Sequence, residues 1–233
     1  MTPYHLISIA LLITIIQGCQ RGDPSTLEQR YQEAVNDAQH IDHNEISFEL
    51  TEITPTNTSL TWQDGRVLMI TLTGYPESYP ADQAVTTWWG TTWVTAIPEL
   101  SQRFNSSINF ENSNALRLYQ ILGLPPDTTH VWLAEIWVDP DDLYRPCPDP
   151  EITDNTCSTD FPNIVSSDHI EWFNNQYDQA FNQVPQYPWT RLGYTYDWGY
   201  GANEIGISEF IIRQNAEVTV KRLEHISNYF SSQ

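Results

Sequence analysis

The residues best suited to chemistry lie in one stretch, PWTRLGYTYDWGYGANEIGISEF, residues 188–210. It gathers Trp189, Arg191, Tyr194, Tyr196, Asp197, Trp198, Glu204 and Glu209. Two carboxyl groups about 5 Å apart, or roughly 6.5–9.5 Å apart, suit glycoside hydrolysis, one as acid and one as nucleophile or base. Asp197 and Glu209 are the candidates for those roles. Arg191 carries a planar fork that grips a carboxylate, and the aromatic side chains would wall a pocket. The same residues also fit a structural part, an Arg191–Asp197 or Arg191–Glu209 ion pair locking a long loop onto a sheet. Sequence alone leaves both readings open.

A second set of carboxylates follows the expected strand over 130–138: Asp139, Asp141, Asp142, Asp149, Glu151, Asp154 and Asp160. Calcium takes six to eight oxygen ligands, and Asp149, Glu151 and Asp154 are the residues that would supply some of them. No EF-hand spacing is present, and a solvated loop stiffened by prolines accounts for the same composition. The sequence requires no cofactor; calcium is the metal it leaves open. A third set is aromatic. Trp88, Trp89 and Trp93 fit a platform for stacking a sugar, or equally a cluster buried under a loop. The histidines form no metal or catalytic motif, and no H-E-x-x-H, G-x-S-x-G or phosphate-cradling glycine pattern occurs. The chain reads more readily as a binding or structural protein than as an enzyme, with a glycan-directed hydrolase as the alternative.

The three cysteines, Cys19, Cys147 and Cys157, divide by position. The run from Leu6 to Ile16 is apolar apart from Ser8 and Thr14. As a helix it would reach about 16 Å, short of a bilayer core of about 30 Å, and its length fits the apolar part of a signal peptide. It ends in Ile16-Gln17-Gly18-Cys19. This junction resembles the signal of bacterial lipoproteins, in which a small residue precedes the cysteine. The resemblance covers about the first twenty residues. It implies removal of residues 1–18, acylation of Cys19, and membrane attachment through that lipid. Two departures stand out: Met1 to His5 lack Lys and Arg, and Gln17 is bulky for its place. In Gram-negative lipoproteins an aspartate after the cysteine favours the inner membrane; here Gln20 follows, which favours the outer membrane. Arg21-Gly22-Asp23 reads as part of a tether over residues 19–24. An exported chain is free to oxidise its thiols, so Cys147 and Cys157 are expected to pair.

Composition sets further bounds. The 233 residues hold 30 acidic and 10 basic side chains, for a net charge of -20. Such a chain repels phosphates, which argues against nucleic acid as a partner. It leaves cations, another envelope protein or a glycan. A hydrophobic content of 40% with nine tryptophans suffices for a core, because aromatics bury a large area each.

The elements that must position these groups read as one α+β domain over residues 25–233. A mostly antiparallel sheet is expected, with helices on one side and an N-terminal helix over about 25–42. Ser25 and Glu28 have the spacing of a capping box. Ile46, Phe48 and Leu50 alternate with polar residues and predict a strand. Asp64-Gly65 predicts a hairpin turn into a strand over 66–73, and 75–90 reads as a loop. A strand or helix start at 91–97, helices over 98–104 and 115–122, and a central strand over 130–138 follow. Asp168 is placed to cap a helix over 169–184. Two strands, 205–212 and 216–223, close the chain, joined by a turn at Gln214-Asn215.

Overall fold

A computed structural model describes residues 26–107, 114–199, 201 and 203–230. Residues 1–25 lie outside this set, so the signal, Cys19 and Ser25 do as well. None of the helices among the described residues is long and apolar enough to cross a membrane.

The described chain is built on an antiparallel sheet of eight strands, flanked by five helices. The strands are β1 (Trp62–Gln63), β2 (Arg66–Thr73), β3 (Gln83–Thr86), β4 (Thr92–Ala96), β5 (Trp132–Val138), β6 (Leu143–Tyr144), β9 (Phe210–Ile212) and β10 (Glu217–His225). Their order is β3-β10-β5-β2-β4-β9-β6, with β1 also paired to β2. A separate hairpin pairs β7 (Tyr194–Tyr196) with β8 (Ile205–Ser208). The helices are α1 (Leu27–Ala38), α2 (Ile97–Ser107), α3 (Asn114–Ile121), α4 (Ser167–Phe181) and α5 (Ile226–Tyr229).

Local chemistry accounts for several of these elements. Asp64 and Gly65 both take positive φ, 51° and 80°, which is what a two-residue turn between twisted strands requires. The turn joins β1 to β2, with Trp62 opposite Val67. Gly123, at φ 65°, ends α3 in the left-handed conformation that an L side chain resists. Along β2 the side chains alternate. Val67 and Met69 join Val94, Ala134, Ile136, Phe210 and Val218 in one core; Ile70 joins Leu100, Phe104, Leu118, Leu133, Ile207 and Tyr229 in another. The second core is supplied by α2, α3 and α5, so the sheet is apolar on both faces and its central strands carry few polar side chains.

Several expectations are corrected. Residues 46–50 form no strand: a short 3-10 turn, His43–Glu45, precedes an extended stretch held by Leu50 N–H to Asn155 O and Ile53 N–H to Ile152 O. Phe48 points outward at 69% exposure. The alternation there comes from a segment laid against the disulfide loop instead of a sheet. The α1 cap uses Thr26 and Gln29, one residue beyond Ser25 and Glu28, with Thr26 Oγ1 accepting from Gln29 N–H and Gln29 Oε1 accepting from Thr26 N–H. The α4 cap is Ser166 in place of Asp168, and its hydroxyl accepts from His169 N–H. The loop after β2 contains β3, an edge strand too short and polar to stand out. The turn at Gln214-Asn215 exists, with Asn215 at φ 65°. The strands it joins do not pair with each other, because β9 lies between β4 and β6 while β10 lies between β3 and β5.

Candidate functional site

The stretch 188–210 forms the separate β7–β8 hairpin and then enters β9. Asp197, just after β7, is 2% exposed. Arg117 on α3 donates to both its oxygens, Nη1 to Oδ1 and Nη2 to Oδ2, each at 2.6 Å. Arg103 on α2 donates to Oδ2 at 2.8 Å, and Gly199 N–H donates to Oδ1 at 3.1 Å. Burial alone would raise the Asp197 carboxyl. The hydrogen bonds and charge of Arg117, aided by Arg103 and the Gly199 N–H, outweigh it and hold the group below the ordinary carboxylate range. Such a carboxylate stays ionised and has its oxygens occupied. It is a poor proton donor and a poor nucleophile, and its visible task is to tie α2 and α3 to the hairpin.

Arg191 pairs with neither acid. It sits at φ 60°, donates from Nη2 to Ala38 O at 2.6 Å, and lies over the rings of Tyr177 and Phe181. It therefore docks the end of α1 against α4. Glu209 interrupts the strand run between β8 and β9, and its N–H donates to Gly193 O at 3.0 Å. The residue as a whole is half-buried, its carboxyl carries no hydrogen bond or ion pair among the described residues, and burial of that carboxyl pushes it up to about 8. The three candidates of this stretch thus separate: Asp197 is clamped, Arg191 is a strut, and Glu209 stands alone.

The three tryptophans also separate. Trp88 is 71% exposed. Trp89 lies edge-on between Trp88 and Tyr79, with centroids at 6.0 and 5.3 Å, and its Nε1 donates to Thr92 Oγ1. Trp93 belongs to a different cluster, against Trp172 and Trp189. No three-ring platform results.

The cysteines are joined: Cys147 and Cys157 form a disulfide across a sequence separation of 10. The loop it closes wraps Arg145, which has no exposed surface. Arg145 Nε donates to Glu151 O at 3.0 Å, and Nη2 donates to Asp154 O at 2.8 Å and Thr51 O at 3.3 Å. Its guanidinium also lies over Phe210. His169 Nε2 lies 2.8 Å from Cys147 O, and its ring stacks on Trp172, which ties α4 to the same loop. Burial lowers the His169 pKa, although the bond to Cys147 O acts the other way. Asp149, Glu151 and Asp154 come together, each with a carboxylate oxygen within 4.8 Å of the others. The positive Arg145 lies beside them, 3.8 Å from Asp154, which weakens the attraction of this cluster for a cation. Sequence reasoning missed Arg145 as the hub of the loop, since nothing in Leu-Tyr-Arg-Pro-Cys marks an arginine for burial.

A feature absent from the sequence reading is a shallow groove along residues 49–60, against Asn155 on one side and the start of α2 on the other. It comprises two adjoining cavities of about 380 and 210 Å³ that share Glu49 and Thr51. At its floor, Glu99 accepts from Ser208 N–H, Ser208 Oγ and Thr51 Oγ1. Glu52, Asn57, Asn155 and Gln102 are among the other polar residues of the lining. No protein-family model, curated protein or solved structure matches the chain.

Proposed function

We propose that the chain is an exported lipoprotein of the bacterial cell envelope, whose folded part binds another protein or a glycan. In this reading residues 1–18 are the signal, Cys19 carries the lipid, residues 19–24 are the tether, and residues 25–233 form one domain. Its helices, α1 included, cover one side of the sheet. The single observation that carries the proposal is the closed Cys147–Cys157 disulfide, both of whose residues are buried. A structural cross-link of this kind persists in oxidising compartments, which is where the junction at Cys19 would send the chain. Two or more acyl chains anchor stably without a basic patch, which fits a surface this acidic. Gln20 favours the outer membrane. A binding role is supported by the state of the candidate catalytic groups, since Asp197 is occupied by two arginines and Arg191 by a backbone carbonyl.

The alternative is a hydrolase in which Glu209 is the acid. The lack of a partner on its carboxyl among the described residues favours that reading, because a proton held near neutral pH is what a general acid needs.

Mass spectrometry of the protein purified from its native membrane tests the proposal. The expected species begins at Cys19 and carries acyl chains. An unprocessed chain, or an unmodified Cys19 thiol, would refute it.

A further inference from the structure

We propose that the open edge strand β3 pairs with β3 of a second copy of this chain, joining two sheets across a two-fold axis at Val85. This pairing goes beyond the proposed function and depends on neither the lipidation of Cys19 nor the ligand of the domain.

β3 ends the sheet, paired to β10 on one side and to no described strand on the other. Thr87 N–H donates to Ala216 O. The alternation of an antiparallel ladder then turns the backbone groups of Gln83 and Val85 toward β10 as well. Those of Ala84 and Thr86 point outward, and Gln83, Ala84 and Thr86 are exposed. At the far end of the sheet the edge strand β6 is covered instead, with Leu143 and Tyr144 each 4% exposed. An open edge is a template for another strand, and proteins blunt it with lysine, proline, a charge or a bulge. Residues 83–86 contain no lysine, no proline and no charge. The one irregularity, Asp82 at φ 60°, precedes the strand.

Two features make a second copy the occupant. The first is symmetry. With the axis at Val85, Ala84 of one copy lies opposite Thr86 of the other, and every outward N–H meets an outward C=O. The strand is its own complement, as a two-fold contact requires. The second is charge. At a net charge of -20 two copies repel each other, and the uncharged stretch 83–86 is where their backbones can approach. In this register Asp82 faces Trp88 of the second copy, so no acid lies directly opposite an acid along the seam. Trp88, two residues past the strand, is 71% exposed and supplies apolar area, since a buried tryptophan covers about 150–250 Å². So short a strand keeps the contact below about 1,200 Å², the range of weak, reversible pairs.

The test uses the full-length protein in detergent, followed by sedimentation velocity over about a hundredfold range of concentration. A reversible equilibrium between monomer and dimer is expected. Ala84→Pro removes an outward N–H that the ladder to β10 does not use. It should leave a monomer throughout, with unchanged circular dichroism. Trp88→Ser should weaken the dimer by about tenfold. Disulfide trapping reads the register without relying on either variant. Val85→Cys sets two thiols directly opposite, in a non-hydrogen-bonded pair with Cα atoms about 4.5 Å apart, within disulfide reach. Mild oxidation should give a covalent dimer. Thr86→Cys sets them on the diagonal, about 7–8 Å apart, and should link far less. The wild-type chain, oxidised in parallel, is the baseline. A monomer at every concentration would overturn the proposal, as would a dimer that persists in folded Ala84→Pro. Linking of Thr86→Cys at or above the level of Val85→Cys would overturn it too, because the strands would not then meet at Val85.

Discussion

Arg117 meets Asp197 edge to edge, with Nη1–Oδ1 and Nη2–Oδ2 both 2.6 Å, inside a site where the carboxylate is 2% exposed. A second arginine, Arg103, closes the same oxygen from α2 at 2.8 Å. Gly199 sits so close that a Cβ there would collide with the Arg117 guanidinium. Two helices and a hairpin far apart in sequence therefore converge on one carboxyl group.

Removing that group should be costly. Asp197→Ala leaves two guanidinium groups facing a void, and breaking a buried pair costs about 3–5 kcal/mol. Urea unfolding is expected to show a loss of that order, with Arg117→Lys intermediate because an ammonium cannot reproduce the fork. The pair also sets an acid limit. The folded-state value lies below the ordinary one, so the stabilisation is present above the usual carboxylate range and is lost as pH falls through the folded value. Asp197→Asn should flatten the loss of stability in acid. A hydrolase that used Asp197 would instead lose turnover with the fold intact.

The disulfide loop should depend on Arg145 as much as on its sulfurs. A closed loop of about ten residues contributes roughly 2–3 kcal/mol in the chain-entropy model. Arg145→Met would leave the carbonyls of Glu151 and Asp154 without their donor, and each buried unpaired group costs about 1–3 kcal/mol. Thermal melts with and without reductant separate the two effects. Cys157→Ser should abolish the response to reductant, while Arg145→Met should lower the midpoint and retain that response.

The legible parts of the fold were those with local causes. The turn at Asp64-Gly65, the stop at Gly123 and the doubly apolar β5 each follow from a few adjacent residues. The mostly antiparallel α+β architecture follows from their sum. The Cys147–Cys157 link was legible because only two cysteines follow Cys19. Asp197 was visible as a charged group in an aromatic stretch, but its partners were not, since they lie 80 and 94 residues away on α3 and α2. Arg191 was the nearer cation and the wrong one, because its positive φ turns it toward Ala38. β3 and β6 escaped notice for a different reason: four and two residues are too few for a period to show. The groove is assembled from the coil at 49–60, α2 and Asn155, and no contiguous motif announces it.

Trp88 is the one tryptophan among nine whose ring is largely in solvent. Acrylamide should quench a single accessible component of the fluorescence, and Trp88→Phe should remove it. If an isolated ring is the extent of the aromatic surface, simple sugars should change the spectrum little. A sugar-dependent shift that survives Trp88→Phe would locate stacking on another tryptophan.

Glu209 makes the stability of the domain depend on pH in the opposite direction to Asp197. Its carboxyl has no donor among the described residues and is raised by burial to about 8, whereas in the unfolded chain it returns to about 4.3. The folded state therefore holds a proton that the unfolded state releases. Its contribution is fully present below the unfolded value and is lost as pH rises through the window up to the folded one. One proton in that window changes stability by at most about 1.4 kcal/mol per pH unit. Glu209→Gln keeps the shape and removes the titration. It should match the wild type near pH 4 and exceed it in urea midpoint by a growing margin toward pH 8. Equal slopes for the two proteins between pH 5 and pH 8 would show that the carboxyl is ionised in the folded chain, and would remove Glu209 as a general acid along with the pH effect.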